Sequence, residues 1–241
     1  MPDAIYEDPR LAALYDTFDG ERDDLAAYVD LARELEARDV VDLGCGTGAL
    51  ALLLAASGCR VVGVDPAAAS LEVARTKPGA GQVRWVLGDA STLPHDRADL
   101  VTMTGNVAQV FLTETDWHAT LRGAHAALRP GGHLVFETRR PDRRAWEDWA
   151  ADTSPRTLVV PGVGQVEHRR QVLDVDLPFV RFQHQYRIGS DGAVLSSDST
   201  LRFWRDDEIL GSLDANGYEV VEVRDAPDRP GREWIYVAHR R

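Results

Sequence analysis

The chain has 241 residues, 39 of them acidic and 27 basic, which gives a formal net charge of -12. This length fits one large domain, or one domain with an insertion, and the chain can bury its core without disulfides. The negative charge and the lack of a basic stripe argue against nucleic acid as a partner. With two cysteines and no apolar run of about 20 residues, we expect a cytoplasmic protein without a membrane span.

The first 140 residues predict helices followed by an alternation of strands and helices. Apolar residues at helical spacing predict two helices before residue 40. Short β-branched runs then predict strands at 40–43, 61–64, 83–87, 100–103 and 134–136, and alanine-rich stretches predict helices at 49–56, 67–75 and 114–128. This order predicts an α/β fold with a doubly wound, mostly parallel sheet.

The pattern changes after Pro141. Longer β-branched runs joined by turn residues predict antiparallel strands at 157–160, 165–175, 179–188 and 194–204. Consecutive hairpins do not continue a parallel sheet, so we interpret this segment as an antiparallel β insertion. A helix over 206–216 and two strands at 218–223 and 234–239 then return to the α/β pattern.

A glycine-rich loop, Gly44-Cys45-Gly46-Thr47-Gly48, follows the first predicted strand and precedes a predicted helix. Glycines at this place let the backbone turn sharply and approach a ligand closely. Alone, the loop is also compatible with a structural turn or with a dinucleotide site that uses Asp65 for a ribose. Asp42 favours a different ligand, because a carboxylate there opposes a pyrophosphate but suits a ligand carrying an ammonium and a sulfonium.

Four short motifs follow one another along the chain: the residues from Val41 to Gly48, Val62-Gly63-Val64-Asp65, Gly88-Asp89-Ala90, and the turn Leu128-Arg129-Pro130-Gly131-Gly132. In this order they resemble the motifs of the class I S-adenosylmethionine-dependent methyltransferases. The resemblance covers roughly residues 40–137 together with the closing helix and strands. It implies a seven-stranded, Rossmann-like sheet whose last strand is antiparallel. It also implies S-adenosylmethionine bound at the carboxyl ends of the strands.

The resemblance also implies a set of cofactor-binding residues. Gly44 and Gly46 would meet the methionine moiety, Asp65 the ribose hydroxyls, and Asp89 with Ala90 the adenine edge. The full predicted set is Tyr15, Asp42, Gly44, Cys45, Gly46, Asp65, Pro66, Asp89, Ala90 and Asn106. Alternative roles remain open: Asp65 as a helix cap before Pro66, Asp89 as part of a Gly-Asp turn, and Tyr15 as a core aromatic.

The acceptor side is less defined by the sequence. Methyl transfer depends mainly on positioning, and a base is needed only when the acceptor arrives protonated. We identify no catalytic base and no metal site. The candidate substrate-binding residues are Arg139, Trp146, Trp149, His168 and His184. The two tryptophans would share one face of a helix over 143–150 and form an aromatic wall, or they are ordinary packing.

These observations predict a methyltransferase that acts on a small molecule with S-adenosylmethionine as cofactor. The alternatives are a dinucleotide-dependent oxidoreductase and a non-catalytic protein of the same fold. We divide the chain into an N-terminal helical lid (1–38), a cofactor-binding α/β core (39–140), a lid segment with the antiparallel insertion (141–205), and a closing helix with two strands (206–241). The sequence leaves open the acceptor atom, the use of a base, and whether the protein is a monomer or a homodimer.

Overall fold

The structure is a computed structural model that describes residues 1–93 and 95–241. The strands are β1 (Asp39–Leu43), β2 (Arg60–Asp65), β3 (Val83–Leu87), β4 (Ala98–Met103), β5 (Leu128–Arg139), β6 (Arg156–Val160), β7 (Gly164–Asp176), β8 (Phe179–Ile188), β9 (Val194–Arg202), β10 (Tyr218–Asp225) and β11 (Glu233–Arg240). The helices are α1 (Ala4–Glu7), α2 (Pro9–Asp19), α3 (Leu25–Glu34), α4 (Ala49–Ala56), α5 (Ala68–Thr76), α6 (Glu114–Ala127), α7 (Ala145–Ala151) and α8 (Asp206–Ala215).

Seven strands form one sheet in the order β10-β11-β5-β4-β1-β2-β3. The five strands from β5 to β3 pair in parallel, whereas β11 is antiparallel to both β5 and β10. The predicted doubly wound sheet with an antiparallel last strand is confirmed. The strand order reverses between β1 and β4, so a crevice opens at the carboxyl ends of these two strands.

Helices cover both faces of this sheet because successive strand residues point in opposite directions. On β1, Val41 belongs to a core with Trp117 and Leu213, from α6 and α8. Its neighbour Val40 belongs to a second core with residues of α3 and α4, among them Leu54. The sheet is therefore buried between two apolar layers, and the functional groups collect at the ends of its strands.

The insertion is a four-stranded antiparallel sheet in the order β6-β7-β8-β9, as predicted. Helices α1 and α2 pack on it through Ile5, Leu14 and Phe18, which share a cluster with Val166 and Tyr186. Helices α1 and α2 also contact α5, whereas α3 packs with α4 in the second apolar core. The division of the chain into a helical lid (1–38) and three further segments stays a prediction.

Several boundaries differ from the sequence-based predictions. Three helices, and not two, precede β1, because Asp8 accepts hydrogen bonds from the first turn of α2 and separates it from α1. Helix α7 begins at Ala145 because Arg144 has a left-handed φ of 47°. Strand β9 ends at Arg202, and Trp204 turns into the core, where its indole N–H donates to the carbonyl of Ala108. Within the described residues, no helix is long and apolar enough to cross a membrane.

Candidate functional site

The glycine-rich loop between β1 and α4 is tightly packed at its ends and open in its middle. Gly44, Gly46 and Gly48 have φ values of 74°, 53° and 81°, which favour glycine. A Cβ atom on Gly44 would lie 2.6 Å from Val107, and one on Gly48 would lie 2.4 Å from Trp85. A Cβ on Gly46 would meet nothing within 4 Å. The backbone at Gly46 is therefore accessible to a ligand.

Asp65 ends β2 beside this loop and is 7% exposed. Its Oδ2 accepts a hydrogen bond from the backbone N–H of Gly46 and its Oδ1 accepts one from Ala67, both at 2.8 Å. Burial raises the pKa of this carboxyl group. Asp65 thus braces the loop and also fixes the turn before α5. The bond to Ala67 is compatible with the helix-cap alternative, and the bond to Gly46 ties Asp65 to the predicted cofactor loop.

Asp42 and Cys45 lie beneath and within the same loop. Asp42 is 1% exposed and accepts a hydrogen bond of 2.9 Å from the hydroxyl of Thr102. Burial raises the pKa of Asp42 to about 7, although the bond from Thr102 opposes the shift. Burial also raises the pKa of the Cys45 thiol well above its ordinary value. Asp42 is therefore enclosed beneath the loop, and its carboxyl group is only partly ionised near neutral pH.

The remaining predicted cofactor residues, Pro66, Asp89 and Ala90, follow β2 and β3 at the same edge of the sheet, because Asp65 is in register with Leu87 of β3. Asp89 is exposed, and its carboxylate accepts hydrogen bonds from the N–H and hydroxyl of Ser91, which lower its pKa. These local hydrogen bonds are compatible with the Gly-Asp turn, the alternative role that the sequence leaves open for Asp89. Pro66 is exposed and Ala90 is buried.

A cleft of about 500 Å³ opens next to the loop, between α1, α2, the antiparallel sheet and the carboxyl ends of β4 and β5. The predicted site residues that line it are Tyr15, Asn106, Arg139, Trp149, His168 and His184. The cleft also has a strongly aromatic wall that the sequence did not indicate, formed by Tyr6, Phe18, Phe182 and Tyr186. The predicted acceptor side is thus assembled from segments distant in sequence.

The two tryptophans of α7 have different surroundings. Trp146 is 4% exposed, packs edge-on against Phe203 at 4.8 Å, and is not among the residues that line the cleft. Trp149 lines the cleft, and the guanidinium groups of Arg139 and Arg170 lie 5.1 and 5.2 Å from its ring centre. The predicted aromatic wall therefore has Trp149 but not Trp146, and cationic side chains already stack on its ring.

His168 and His184 form a stacked pair on the antiparallel sheet. Their nitrogens Nε2 and Nδ1 are 2.8 Å apart, and Tyr186 stacks on His168 at 4.6 Å. Burial lowers the pKa of His168 to about 4 and that of His184 to about 3. At neutral pH both rings are therefore uncharged, with one donating a hydrogen bond to the other.

Two buried carboxylates at the end of β5 and the start of β11 complete the cleft. Glu137 is 6% exposed, and its Oε1 accepts hydrogen bonds from the N–H groups of Gly105 at 2.8 Å and Asn106 at 3.1 Å. Burial, and secondarily Glu233, raises the pKa of Glu137 to about 7. Glu233 is 3% exposed and pairs with Arg229 at 2.6 Å.

Neither carboxylate is in the predicted set of site residues, although the sequence places the segment 137–140 at the end of the fifth strand, where it is compatible with a substrate contact or with an ordinary charged loop. An acidic residue directly after the apolar run 134–136 was a signal for Glu137, because that strand ends at the same edge as the glycine loop. No comparable signal exists for Glu233, which reaches the site only through the antiparallel pairing of β11 with β5.

The loop after β4 joins the glycine loop to the cleft. Val107 packs against Gly44, and its neighbours Gly105 and Asn106 line the cleft. Asn106 is 3% exposed with a left-handed φ of 63°, and its Oδ1 is buried without a hydrogen-bond partner among the described residues. A ligand held by the glycine loop would therefore reach the cleft at Asn106.

Asp16 connects helix α2 to the glycine loop. Its carboxylate accepts a hydrogen bond of 2.5 Å from the hydroxyl of Thr47 and forms an ion pair of 2.5 Å with Lys77. The adjacent Tyr15 faces the cleft, with its ring 5.6 Å from that of Tyr6. Among the described residues, no cluster of side chains is arranged to hold a metal ion.

Part of the chain is similar in sequence to known methyltransferases. Residues 40–132 match the family described as methyltransferase domain. Over 134 residues the chain is 37% identical to the cypemycin N-terminal methyltransferase of a Streptomyces species, which covers 54% of this chain and 55% of that protein. The chain spans about half the length of the curated relatives it matches.

Two solved structures share the whole architecture. The CcbJ methyltransferase of Streptomyces caelestis superposes with a TM-score of 0.75 at 24% identity and covers 95% of both chains. CalS10, an amino pentose methyltransferase of Micromonospora echinaspora, superposes with a TM-score of 0.69 at 24% identity and covers 91% of both chains. At this identity the likeness establishes the fold, including the antiparallel insertion.

Proposed function

We propose that this chain, which belongs to the class I S-adenosylmethionine-dependent methyltransferases, transfers the methyl group of that cofactor to a small molecule bound in the cleft. The observation that carries the proposal is the junction at Asn106. There, an open glycine loop braced by Asp65 meets an aromatic cleft. A cofactor site and an acceptor site that share one boundary are the arrangement that direct group transfer requires.

The residues present fit the cofactor. The open backbone at Gly46 provides room for the methionine moiety, and the carboxylate of Asp65 lies where a ribose diol would bind at the end of a strand. The Oδ1 of Asn106, which has no hydrogen-bond partner within the described part of the chain, is an acceptor suited to a cationic group. When bound, S-adenosylmethionine supplies an electrophilic methyl group on a positively charged sulfur.

The chain itself contributes by holding and enclosing the reactants. Holding two reactants in a near-attack arrangement can lower a barrier by roughly 7–11 kcal/mol. Asp65 and Val107 fix the glycine loop, and Asp16 holds α2 over it. Tyr15, on the same helix as Asp16, lines the cleft next to these contacts and would cover part of a bound ligand.

The proposal that the methyl acceptor is a small molecule depends on the size and the walls of the cleft. Its volume of about 500 Å³ is within the range of sites for small molecules, and its walls include side chains of α1, α2 and the antiparallel sheet. The structurally similar CalS10 is an amino pentose methyltransferase, which supports an acceptor of this size. We also propose a cytoplasmic location, because Cys45 and Cys59 are both free thiols.

The two alternative functions, a dinucleotide-dependent oxidoreductase and a non-catalytic protein, have less support. A dinucleotide-dependent oxidoreductase is not favoured, because the family match is to methyltransferases and because Asp42 would oppose a pyrophosphate at this loop. A non-catalytic protein of this fold is not favoured, because the similar sequences include methyltransferases such as the cypemycin N-terminal methyltransferase.

Ligand-dependent thermal unfolding tests the proposal. S-adenosylmethionine and its demethylated product should raise the melting temperature, since a ligand that binds only the folded protein stabilises it by about 2.7 kcal/mol at a hundred times its Kd. NAD should produce no shift. A shift with NAD alone would refute the cofactor assignment. Absence of S-adenosylhomocysteine formation with every member of a broad panel of small amines, alcohols, phenols and thiols would refute the catalytic role.

A further inference from the structure

We infer that the acceptor is an amine that enters the cleft as an ammonium ion, and that Glu137 binds this ion and takes its proton. The inference rests on the proposed methyltransferase function and names the acceptor class for the same cleft. It follows from the position of Glu137, from the charges around it and from the chemistry that methyl transfer requires.

Glu137 lies at the junction of the two halves of the site. Its Oε1 holds the N–H groups of Gly105 and Asn106, the residues that connect the cleft with the Val107–Gly44 contact. Its Oε2 accepts no hydrogen bond within the described part of the chain, and Glu137 lines the cleft. One oxygen is thus committed to the loop, while the other is free for a donor next to the transferred methyl group.

Among the described residues, no cationic side chain forms an ion pair in contact with Glu137. The charged groups that face it are Glu233, Arg139 and Arg229. Both arginines are engaged with Glu233, Arg229 at 2.6 Å and Arg139 at 3.4 Å. Among the described residues that line the cleft, carboxylates outnumber arginines. An ammonium ion would therefore supply the charge that Glu137 lacks.

The proton chemistry favours nitrogen over an aliphatic hydroxyl. With its pKa raised to about 7 by burial, Glu137 can receive a proton from an ammonium group but is far too weak a base for an alcohol. The histidine pair is a poorer proton acceptor, because the pKa values of His168 and His184 are lowered to about 4 and about 3.

The proposed step balances in atoms and charge. The ammonium group gives one proton to the Glu137 carboxylate and becomes a neutral amine with a free lone pair. That lone pair forms the new nitrogen–carbon bond to the methyl group, while the carbon–sulfur bond breaks and its electron pair remains on sulfur. The N-methylated ammonium product and the neutral thioether leave, and Glu137 returns its proton to water.

Binding of a probe amine tests the inference without turnover. The enzyme, saturated with S-adenosylhomocysteine, is titrated calorimetrically with benzylamine and with benzyl alcohol, which differ in charge but little in shape. At about pH 8, where Glu137 is ionised and benzylamine is still protonated, we expect benzylamine to bind about ten- to a hundredfold more tightly. The variant Glu137→Gln should remove this preference, because glutamine keeps the oxygen that holds Gly105 and Asn106 but lacks the charge.

The matched control is Glu72→Gln, which removes a carboxylate from the exposed side of α5 and should leave the preference unchanged. A second measurement needs no variant: the preference of the wild-type protein should decline several-fold at about pH 5.5, as Glu137 becomes protonated. A preference that is absent, that persists in Glu137→Gln, or that does not change with pH would overturn the inference. Failure to bind S-adenosylhomocysteine would instead overturn the proposed function itself.

Discussion

Replacing Asp42 by asparagine should make the stability of the ligand-free protein less dependent on pH. Asp42 is 1% exposed, and within the described residues its carboxylate accepts hydrogen bonds from the hydroxyl of Thr102 at 2.9 Å and from the backbone N–H of Ala51. Asparagine has nearly the same volume and can keep one of these bonds through its amide oxygen. The substitution therefore removes the ionisation and at most one hydrogen bond, and the loss of that bond does not depend on pH.

The sign and size of this pH dependence follow from the pKa of Asp42, which burial raises from 3.8 to about 7. Between these two values the folded protein holds a proton that the unfolded chain has lost. The contribution of Asp42 to stability is therefore greatest below pH 3.8 and is lost as the pH rises to about 7. At 1.36 kcal/mol per pKa unit, the loss from about pH 5 to about pH 8 is roughly 2–3 kcal/mol.

Urea unfolding at these two pH values measures the effect. The free energy of unfolding should decrease between them by about 2–3 kcal/mol more in the wild-type protein than in Asp42→Asn. Asp39→Asn is the control on the same strand: the hydrogen bond from Arg60 lowers the pKa of Asp39, so its contribution changes only at pH values below that window. Equal pH dependence in the wild-type protein and Asp42→Asn would refute the argument.

Three further predictions concern the site. Gly48→Ala should destabilise the fold by about 1–3 kcal/mol, because its Cβ would collide with Trp85. Gly46→Ala should lower the free energy of unfolding by only about 1 kcal/mol, because its Cβ enters open space. Since the proposed cofactor would occupy that space, Gly46→Ala should mainly weaken cofactor binding. Urea unfolding and cofactor titration of both variants check this contrast, and the same loss of stability in both would contradict it. Asp65→Ala should weaken cofactor binding at least about tenfold by calorimetry, since charge-assisted bonds contribute roughly 1.5–3 kcal/mol each. Unchanged affinity in a folded variant would leave Asp65 with only its structural role. Trp149→Ala should leave cofactor affinity intact and lower kcat/KM for the acceptor, and normal turnover would show that its ring is only packing.

The order of elements was predictable because it depends on local patterns. Alternating β-branched and alanine-rich segments predicted every strand of the large sheet and the antiparallel insertion, and strand 179–188 agrees to the residue. The ends of the strands and helices were less predictable where tertiary contacts determine them. Strand β9 stops before Trp204 because that indole finds a buried partner in Ala108, a residue far away in sequence.

The proposed cofactor side of the site could be predicted from the sequence itself. Its glycines and Asp65 lie in short, contiguous motifs at strand ends, and a parallel sheet brings such ends to one edge. The acceptor side was decided only by the tertiary structure. The pKa of Glu137 is raised because the end of β5 is buried beside β11, which also brings Glu233 near it, whereas the two N–H groups of the loop at Asn106 hold one of its oxygens and oppose this rise. Such contacts depend on burial and on the pairing of distant segments, and neither is written in any local stretch of the chain.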